Sequence, residues 1–448
     1  MNVTRRPASS SAAATAVQSV CVVGLGYVGL PMAVVLASRG FTVAGVDVDP
    51  QVRAELLQGR TSSGETGLAG LLRQAVESGR FAASPSPSEA DAYIIAVPTP
   101  LSGEGDGAAD LSYVRAAARS VVPFLRPGSL VVLESTVPPG TTEQVLVPEL
   151  ERSGLAAGGG LLVAHVPERV LPGNVLSELV HNPRVIGGID RPSAQAAALL
   201  YAGFIEGEII LTDARTAELV KLMENTYRDV NIALANEFAL LAQELGVDVW
   251  RAIGIANQHP RVDILRPGPG VGGHCVPVDP WFLARASSYP APLIRAARAV
   301  NDAMPQKVVE LLEGLLSGIE APAVALFGLA YKANTDDTRN SPALAVAQAL
   351  RSRRWDVRPF DPHVRHTAEL GPTLASALEA AAGADCLLVM TDHQAFQSLD
   401  APALRGVMRT ALVLDTRGVL DEAAWRAAGF EVRRLGVGPG GARGASSK

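Results

Sequence analysis

The sequence predicts an α/β protein built of two parallel-sheet domains joined by a long central helix. Three observations predict it. Strand-like and helix-like stretches alternate in both halves of the 448-residue chain. A glycine-rich turn lies between the first strand and the first helix, and one uninterrupted amphipathic run stands between the two alternating series.

The first half opens with SVCVVGLGYVGLPMAVVLASRG: a short β-branched run, a turn holding Gly24, Gly26, Tyr27, Val28 and Gly29, then a helical apolar pattern ending at Gly40. The second strand, FTVAGVDVDP, leads to Asp47. That acid stands about twenty residues beyond the glycines, where a carboxylate can accept hydrogen bonds from ribose hydroxyls. This order is that of a Rossmann-like dinucleotide-binding domain. Asp47 with no adjacent clamp for a 2'-phosphate favours NAD over NADP, and Arg53 is the residue that argues the other way.

DAYIIAVPTP, SLVVLESTVPPGTTEQVLVPEL and LLVAHVPERV continue the alternation. Parallel strands are the economical reading, and their carboxyl ends place Pro98, Thr99, Glu134, Ser135, Thr136 and Glu168 on one ligand-binding rim. Turn chemistry and helix capping remain open for Thr99 and Thr136, and a solvated loop for Glu168.

From 213 to 245 the pattern becomes a single amphipathic helix without Gly or Pro. Lys221, Asn225 and Arg228 fall three or four apart and share one face, either aimed at a substrate or simply solvated. So long a helix also suits a dimer spine. The chain then reaches PGPGVGGHCVPVDPWF at 267–282, too rich in Gly and Pro for helix interior or regular strand. Cys275 there reads as a displayed thiol with His274 and Asp279 beside it; an incidental cysteine in a turn is the other reading. Past Met304 a second series begins, with PAVALFGLAYKANTDDTRNSPALAVAQAL, WDVRPFDPHV, ADCLLVMTD and TALVLDTRG. Its first turn has one glycine, so this half is expected to hold something other than NAD. Lys332 and Arg339 stand near a strand end, where they either meet phosphates or are solvated charges.

These signals divide the chain into a flexible tail (1–18), an NAD-binding domain (19–205), a central helical and dimerisation domain with the cysteine loop (206–303), a second α/β ligand-binding domain (304–436) and a second tail (437–448). With 48% hydrophobic and 19% charged residues the chain is globular, and a net charge of -6 argues against nucleic acid as partner. The three cysteines, at 21, 275 and 386, make neither a disulfide framework nor a metal site. Cys21 and Cys386 lie in strand patterns and read as core. No signal peptide and no apolar run of about 18 residues is evident, so a cytoplasmic protein without membrane insertion is expected.

GLGYVGLP at 24–31, VPTP at 97–100, ESTVPPGTT at 134–142, the Lys221 helix, GGHCVPVDP at 272–280 and FGLAYKANTDDTR at 327–339 together resemble the nucleotide-sugar 6-dehydrogenases of the UDP-glucose/GDP-mannose dehydrogenase family. The resemblance runs in order over nearly the whole chain. It implies four-electron oxidation of a sugar C6 hydroxymethyl to a carboxylate with NAD, through a thiohemiacetal and thioester on Cys275. Lys221 and Asp279, with Asn225 and Thr136 assisting, would handle the alcohol proton, and Glu168 would serve as base in thioester turnover. Gly24, Gly26, Tyr27, Val28, Gly29, Asp47, Arg53, Pro98, Thr99, Glu134, Thr136 and Arg339 would hold the cofactor. Arg169, Val170, Lys221, Asn225, Arg228, Asn231, His259, Arg261, Gly272 and Lys332 would hold the substrate.

ENTYRDVNIALANE and HPRVDILRPGPGVGGHCVPVDPWF resemble the branch acting on UDP-N-acetylhexosamines, and Trp281-Phe282 favours the mannosamine sugar over glucosamine, with UDP-glucose third. Two departures from the UDP-glucose branch point the same way: Pro172 replaces a glutamate and Val278 a lysine. His274 replaces a small polar residue, either tuning the thiol or bonding to backbone. A homodimer supplying cell-surface polysaccharide synthesis is the implied setting.

Overall fold

A computed structural model describes residues 17–438 apart from 62, 104–106 and 172. Most of both expected tails, and Pro172, therefore lie outside the described residues. The chain forms two compact units: 1–224 with 281–288, and 225–280 with 289–448.

The first unit is built on an eight-stranded sheet of β1 (Ser19–Val23), β2 (Thr42–Val46), β3 (Phe81–Ser84), β4 (Ala92–Ile95), β5 (Leu130–Leu133), β6 (Leu162–His165), β7 (Arg184–Gly188) and β8 (Ile209–Asp213), in the order β3-β2-β1-β4-β5-β6-β7-β8. Alternating strand residues feed cores on its two faces. Val20 and Val22 pack with Met32 and Leu36 of the helix Gly29–Ser38, while Cys21 and Val23 join Tyr93, Val131 and Val163 on the other face.

The parallel strands expected from the sequence are observed from β1 through β6, and the strands beyond them add one reversal. β7 pairs antiparallel to β6, and β8 runs parallel to β7. The segment between β6 and β7 includes the short helix Val175–His181, whose Val175 and Leu179 are buried in the same core as Val20, Met32 and Leu36, and β7 then runs back alongside β6. One consequence is that the loop carrying Glu168 and Arg169 stays at the carboxyl end of β6.

The second unit holds β9 (Ala323–Phe327), β10 (Asp356–Phe360), the two-residue pair β11 (His366–Thr367) and β12 (Gly371–Pro372), then β13 (Cys386–Val389), β14 (Leu412–Asp415) and β15 (Glu431–Arg434). Its five-stranded sheet is wholly parallel, in the order β10-β9-β13-β14-β15. Before it runs the 24-residue helix Pro292–Leu315, which passes through the boundary expected at 303/304 with Pro305 inside it. The central helix is Ala214–Glu244, 31 residues or about 46 Å of unbroken rise. No helix among the described residues is long and apolar enough to cross a membrane.

Candidate active site

The first unit presents a glycine turn shaped by close approach. Gly24, at φ 95°, lies where a Cβ would meet the Ala96 carbonyl oxygen at 2.5 Å, and a Cβ on Gly29 would fall 1.8 Å from the Gly24 oxygen. Gly26 is the opposite case, with no atom within 4 Å of the position a Cβ would take. Two glycines thus let strand and helix close, and the third leaves space for a ligand. Asp47, just beyond β2, faces this turn: its Oδ2 accepts from the Leu25 amide at 3.2 Å and its Oδ1 from the Asp49 amide at 2.9 Å. Arg53 donates to the Asp47 carbonyl at 2.7 Å, so it supports the acid's backbone. A helix N-terminus, an open glycine and a half-exposed carboxylate fit an adenosine ribose and pyrophosphate.

Further along the rim, the Thr99 hydroxyl donates to the Thr136 carbonyl and the Ser135 hydroxyl to the Val97 carbonyl, both at 2.7 Å. These bonds lock the loops after β4 and β5 to each other. Thr136 remains half-exposed, while Glu134 is buried. Burial pushes the Glu134 carboxyl up to about 7; Arg184 pulls it down and the neighbouring Glu168 charge raises it.

Glu168 behaves differently from its neighbour, and it is not a solvated carboxylate. Its Oε1 lies 2.7 Å from Lys221 Nζ and its Oε2 accepts from the Val170 amide at 2.8 Å, with both side chains nearly buried. Burial raises its carboxyl, but attraction to the Lys221 ammonium and the hydrogen bonds outweigh this and hold it below the usual range. The pair is therefore carboxylate and ammonium. Arg169 beside it forms an ion pair with Glu224 at 2.6 Å. One turn before Lys221, Glu218 accepts from the Thr142 amide at 2.7 Å and hydroxyl at 2.6 Å, and from the Gly140 amide. It fixes the turn after Thr136 against the helix that carries Lys221.

The second unit holds the cysteine loop. Cys275 is half-buried, whereas Cys21 and Cys386 are buried core residues whose thiols burial pushes up to about 11 and about 12. The Asp279 and Val278 amides both donate to the Cys275 carbonyl, at 2.8 and 3.0 Å, folding the chain back just after the thiol. Asp279 is buried and accepts from Asn225 Nδ2 of the central helix. Gly273, at φ 89°, exchanges backbone contacts with the 331–340 loop: its amide donates to the Arg339 carbonyl and its carbonyl accepts from Asn340, each at 2.9 Å.

A Cβ on Gly272 would lie 2.6 Å from the Tyr331 Cβ, and one on Gly273 would lie 2.9 Å from the Tyr331 ring. Tyr331 thus takes the space that the two glycines leave. Its hydroxyl is pushed up to about 12, by burial first and then by the Asp337 and Cys275 charges. Arg339 pairs with Asp337 and lies within electrostatic reach of Cys275 as well.

The fold therefore joins Lys221 to Glu168, Asn225 to Asp279, and Cys275 to the Lys332–Arg339 loop. Arg228, His259 and Arg261 are exposed, and the Arg261 amide donates to His259 Nδ1 at 3.3 Å. Asn231 bonds back to the Tyr227 carbonyl.

Several contributors escaped the sequence reading. Buried Asp229, Arg298, Asn301 and Asn236 form a network ending at the Gly268 amide, which places the start of the cysteine loop. Arg417 pairs with Asp392 at 3.2 Å and lines a hollow with Gly270, Tyr331 and Pro342. Its position just after β14 was the available signal, since ligands collect at strand carboxyl ends. Tyr331 stood in a quoted motif but has no chemistry that marks it.

Comparisons with known proteins agree with this geometry. Models of the UDP-glucose/GDP-mannose dehydrogenase family match in order: its NAD binding domain over 18–205, its central domain over 215–303 and its UDP binding domain over 325–422. A UDP-N-acetyl-D-mannosamine dehydrogenase of Methanococcus maripaludis is 46% identical over 430 residues, 94% of this chain and 98% of that protein. An NDP-N-acetyl-D-galactosaminuronic acid dehydrogenase of Ralstonia nicotianae is 46% identical over 412 residues, 90% of this chain and 96% of that one. The solved UDP-D-ManNAc dehydrogenase of Pyrococcus horikoshii superposes with TM-score 0.88 at 43% identity, covering 94% of this chain and all of that one. The chain belongs to the UDP-glucose/GDP-mannose dehydrogenase family, and is an NAD-dependent nucleotide-sugar dehydrogenase.

Proposed function

We propose that this enzyme oxidises the C6 hydroxymethyl of UDP-N-acetyl-D-mannosamine to the carboxylate, giving UDP-N-acetyl-D-mannosaminuronate. The observation that carries the covalent route is the half-buried thiol of Cys275 in a Gly- and Pro-rich loop, while the other two cysteines are core. The choice of sugar rests on relatives named for it.

Asp47 and the glycine turn would hold NAD, which would supply a hydride acceptor for each of the two oxidations at C6. Asp279, through a water, takes the alcohol proton, while the Lys221 ammonium, with Asn225 and Thr136 assisting, stabilises the developing oxyanion. The Cys275 thiolate then adds to the aldehyde carbon, and the oxygen gains a proton. Loss of the second hydride and of that proton leaves a thioester. Glu168, ionised beside Lys221, draws a proton from water as the water attacks; the C–S bond breaks and the thiolate returns. From that addition until hydrolysis the reacting carbon stays covalently held by the enzyme. Lys332 and the rest of the second unit hold the uridine diphosphate. A cytoplasmic homodimer supplying cell-surface polysaccharide synthesis completes the reading.

A galacto-configured N-acetylhexosamine is the second reading, because a relative named for the corresponding uronic acid is equally identical. UDP-N-acetyl-D-glucosamine and then UDP-glucose follow. Purified enzyme given each of these four sugars should show its highest kcat/KM with UDP-N-acetyl-D-mannosamine and release two NADH per sugar. One NADH per sugar would mean a simple alcohol dehydrogenase, and none a silent binder. Cys275→Ser should lower turnover by at least about 10³-fold while UDP-sugar affinity stays within about threefold. An unchanged rate removes the covalent route.

A further inference from the structure

The second unit places an acid after its second strand, as the first unit does, and uses it for something else. Asp47 is half-exposed at the end of β2, whereas Asp361, directly after β10, is fully buried and occupied on both oxygens. Its Oδ2 accepts from the Leu329 and Ala330 amides at 2.6 and 3.2 Å, and its Oδ1 from those of His363 and Val364 at 2.8 and 3.0 Å. The fifth partner is His393, also fully buried, with Nε2 3.0 Å from Oδ2.

The other ring nitrogen of His393, Nδ1, accepts from the Asn334 amide at 2.9 Å. A backbone amide can only donate, so Nδ1 carries no hydrogen and Nε2 donates to Asp361. Asn334 itself sits at φ 59°, and its side-chain oxygen accepts from the Gln394 amide at 2.9 Å. The Thr391 hydroxyl adds a bond of 2.6 Å to the Ala330 carbonyl. Asp361 and His393 thus grip both ends of the three-residue stretch 331–333, which carries Tyr331 and Lys332. Tyr331 in turn occupies the space over Gly272 and Gly273, two residues ahead of the thiol.

We propose that the buried Asp361–His393 pair positions the active site: it fixes the Tyr331–Lys332 turn against the uridine diphosphate and, through Tyr331, the glycines leading into Cys275. This rests on the function proposed above for Cys275 and for the second unit. Burying a carboxylate and an imidazole gains less stability than an apolar pair would, so the return on the pair is the fixed geometry of the turn.

His393→Phe removes both hydrogen bonds while keeping a ring beside Phe396, whose centroid lies 5.2 Å away. His393→Asn keeps an acceptor near Nδ1. Three readouts separate positioning from loss of fold: UDP affinity and NAD affinity by calorimetry, and the rate of Cys275 alkylation by iodoacetamide followed by mass spectrometry. His393→Phe should weaken UDP binding at least about tenfold and speed Cys275 alkylation at least about threefold, with NAD affinity within about twofold of wild type. His393→Asn should recover most of both losses. Unchanged UDP affinity and alkylation in His393→Phe, or a parallel fall in NAD affinity, overturns the proposal. If the wild-type enzyme binds no UDP, the function reading has failed, and the alkylation rates still decide whether the pair positions the cysteine loop.

Discussion

Glu134 and Glu168 stand at adjacent strand ends, both nearly buried, and the structure shifts their acidities in opposite directions. Lys221 supplies one positive partner, and Glu168 takes it. Glu134 is pushed up to about 7, by burial first and with its neighbour's charge adding to the rise against the pull of Arg184. The consequence for stability has a definite sign. A carboxyl whose pKa rises on folding from 4.5 to about 7 binds more protons folded than unfolded, so stability falls as pH rises between those values, by about 3 kcal/mol in total. Glu168 acts oppositely, its contribution vanishing as pH drops below the ordinary carboxylate range. Glu134→Gln should therefore flatten the decline in Tm between pH 5 and 7 seen in wild type, to an extent set by that ~3 kcal/mol. Equal slopes for the two proteins would mean that Glu134 ionises normally.

At the scale of an element, the central helix carries both polar site residues and a stripe of apolar side chains that are exposed among the described residues. Met223, Tyr227, Leu234, Phe238 and Leu241 are 37 to 63% exposed, at helical spacings of three, four and seven. Side chains so spaced lie along one side of a helix, which suits self-association of two copies. Phe238→Asp should convert a dimer to monomer in sedimentation velocity, raising the dissociation constant at least about tenfold. A wild-type protein that sediments as monomer at micromolar concentration would rule out the dimer.

For the whole molecule, each sheet has its own core and its own ligand chemistry, so ligands should act separately. NAD at about a hundred times its Kd should stabilise the protein by about 2.7 kcal/mol, as should UDP. Asp47→Ala should erase the NAD-induced rise in Tm and keep the UDP-induced one. A retained NAD shift would contradict the placement of NAD at the Asp47 turn.

Local chemistry wrote much of this molecule into its sequence. The glycine spacing and Asp47 announced a dinucleotide turn because sterics allow few residues there, and the Gly- and Pro-rich flanks of Cys275 marked its loop because they forbid regular structure. The periodicity of 213–245 gave the long helix for the same kind of reason. Tertiary structure alone decided the reversal at β7, the opposite shifts of Glu134 and Glu168, and the capture of Asp361 by His393, 32 residues away. Those outcomes depend on which groups share a buried space, and neither spacing nor propensity along a chain carries that information.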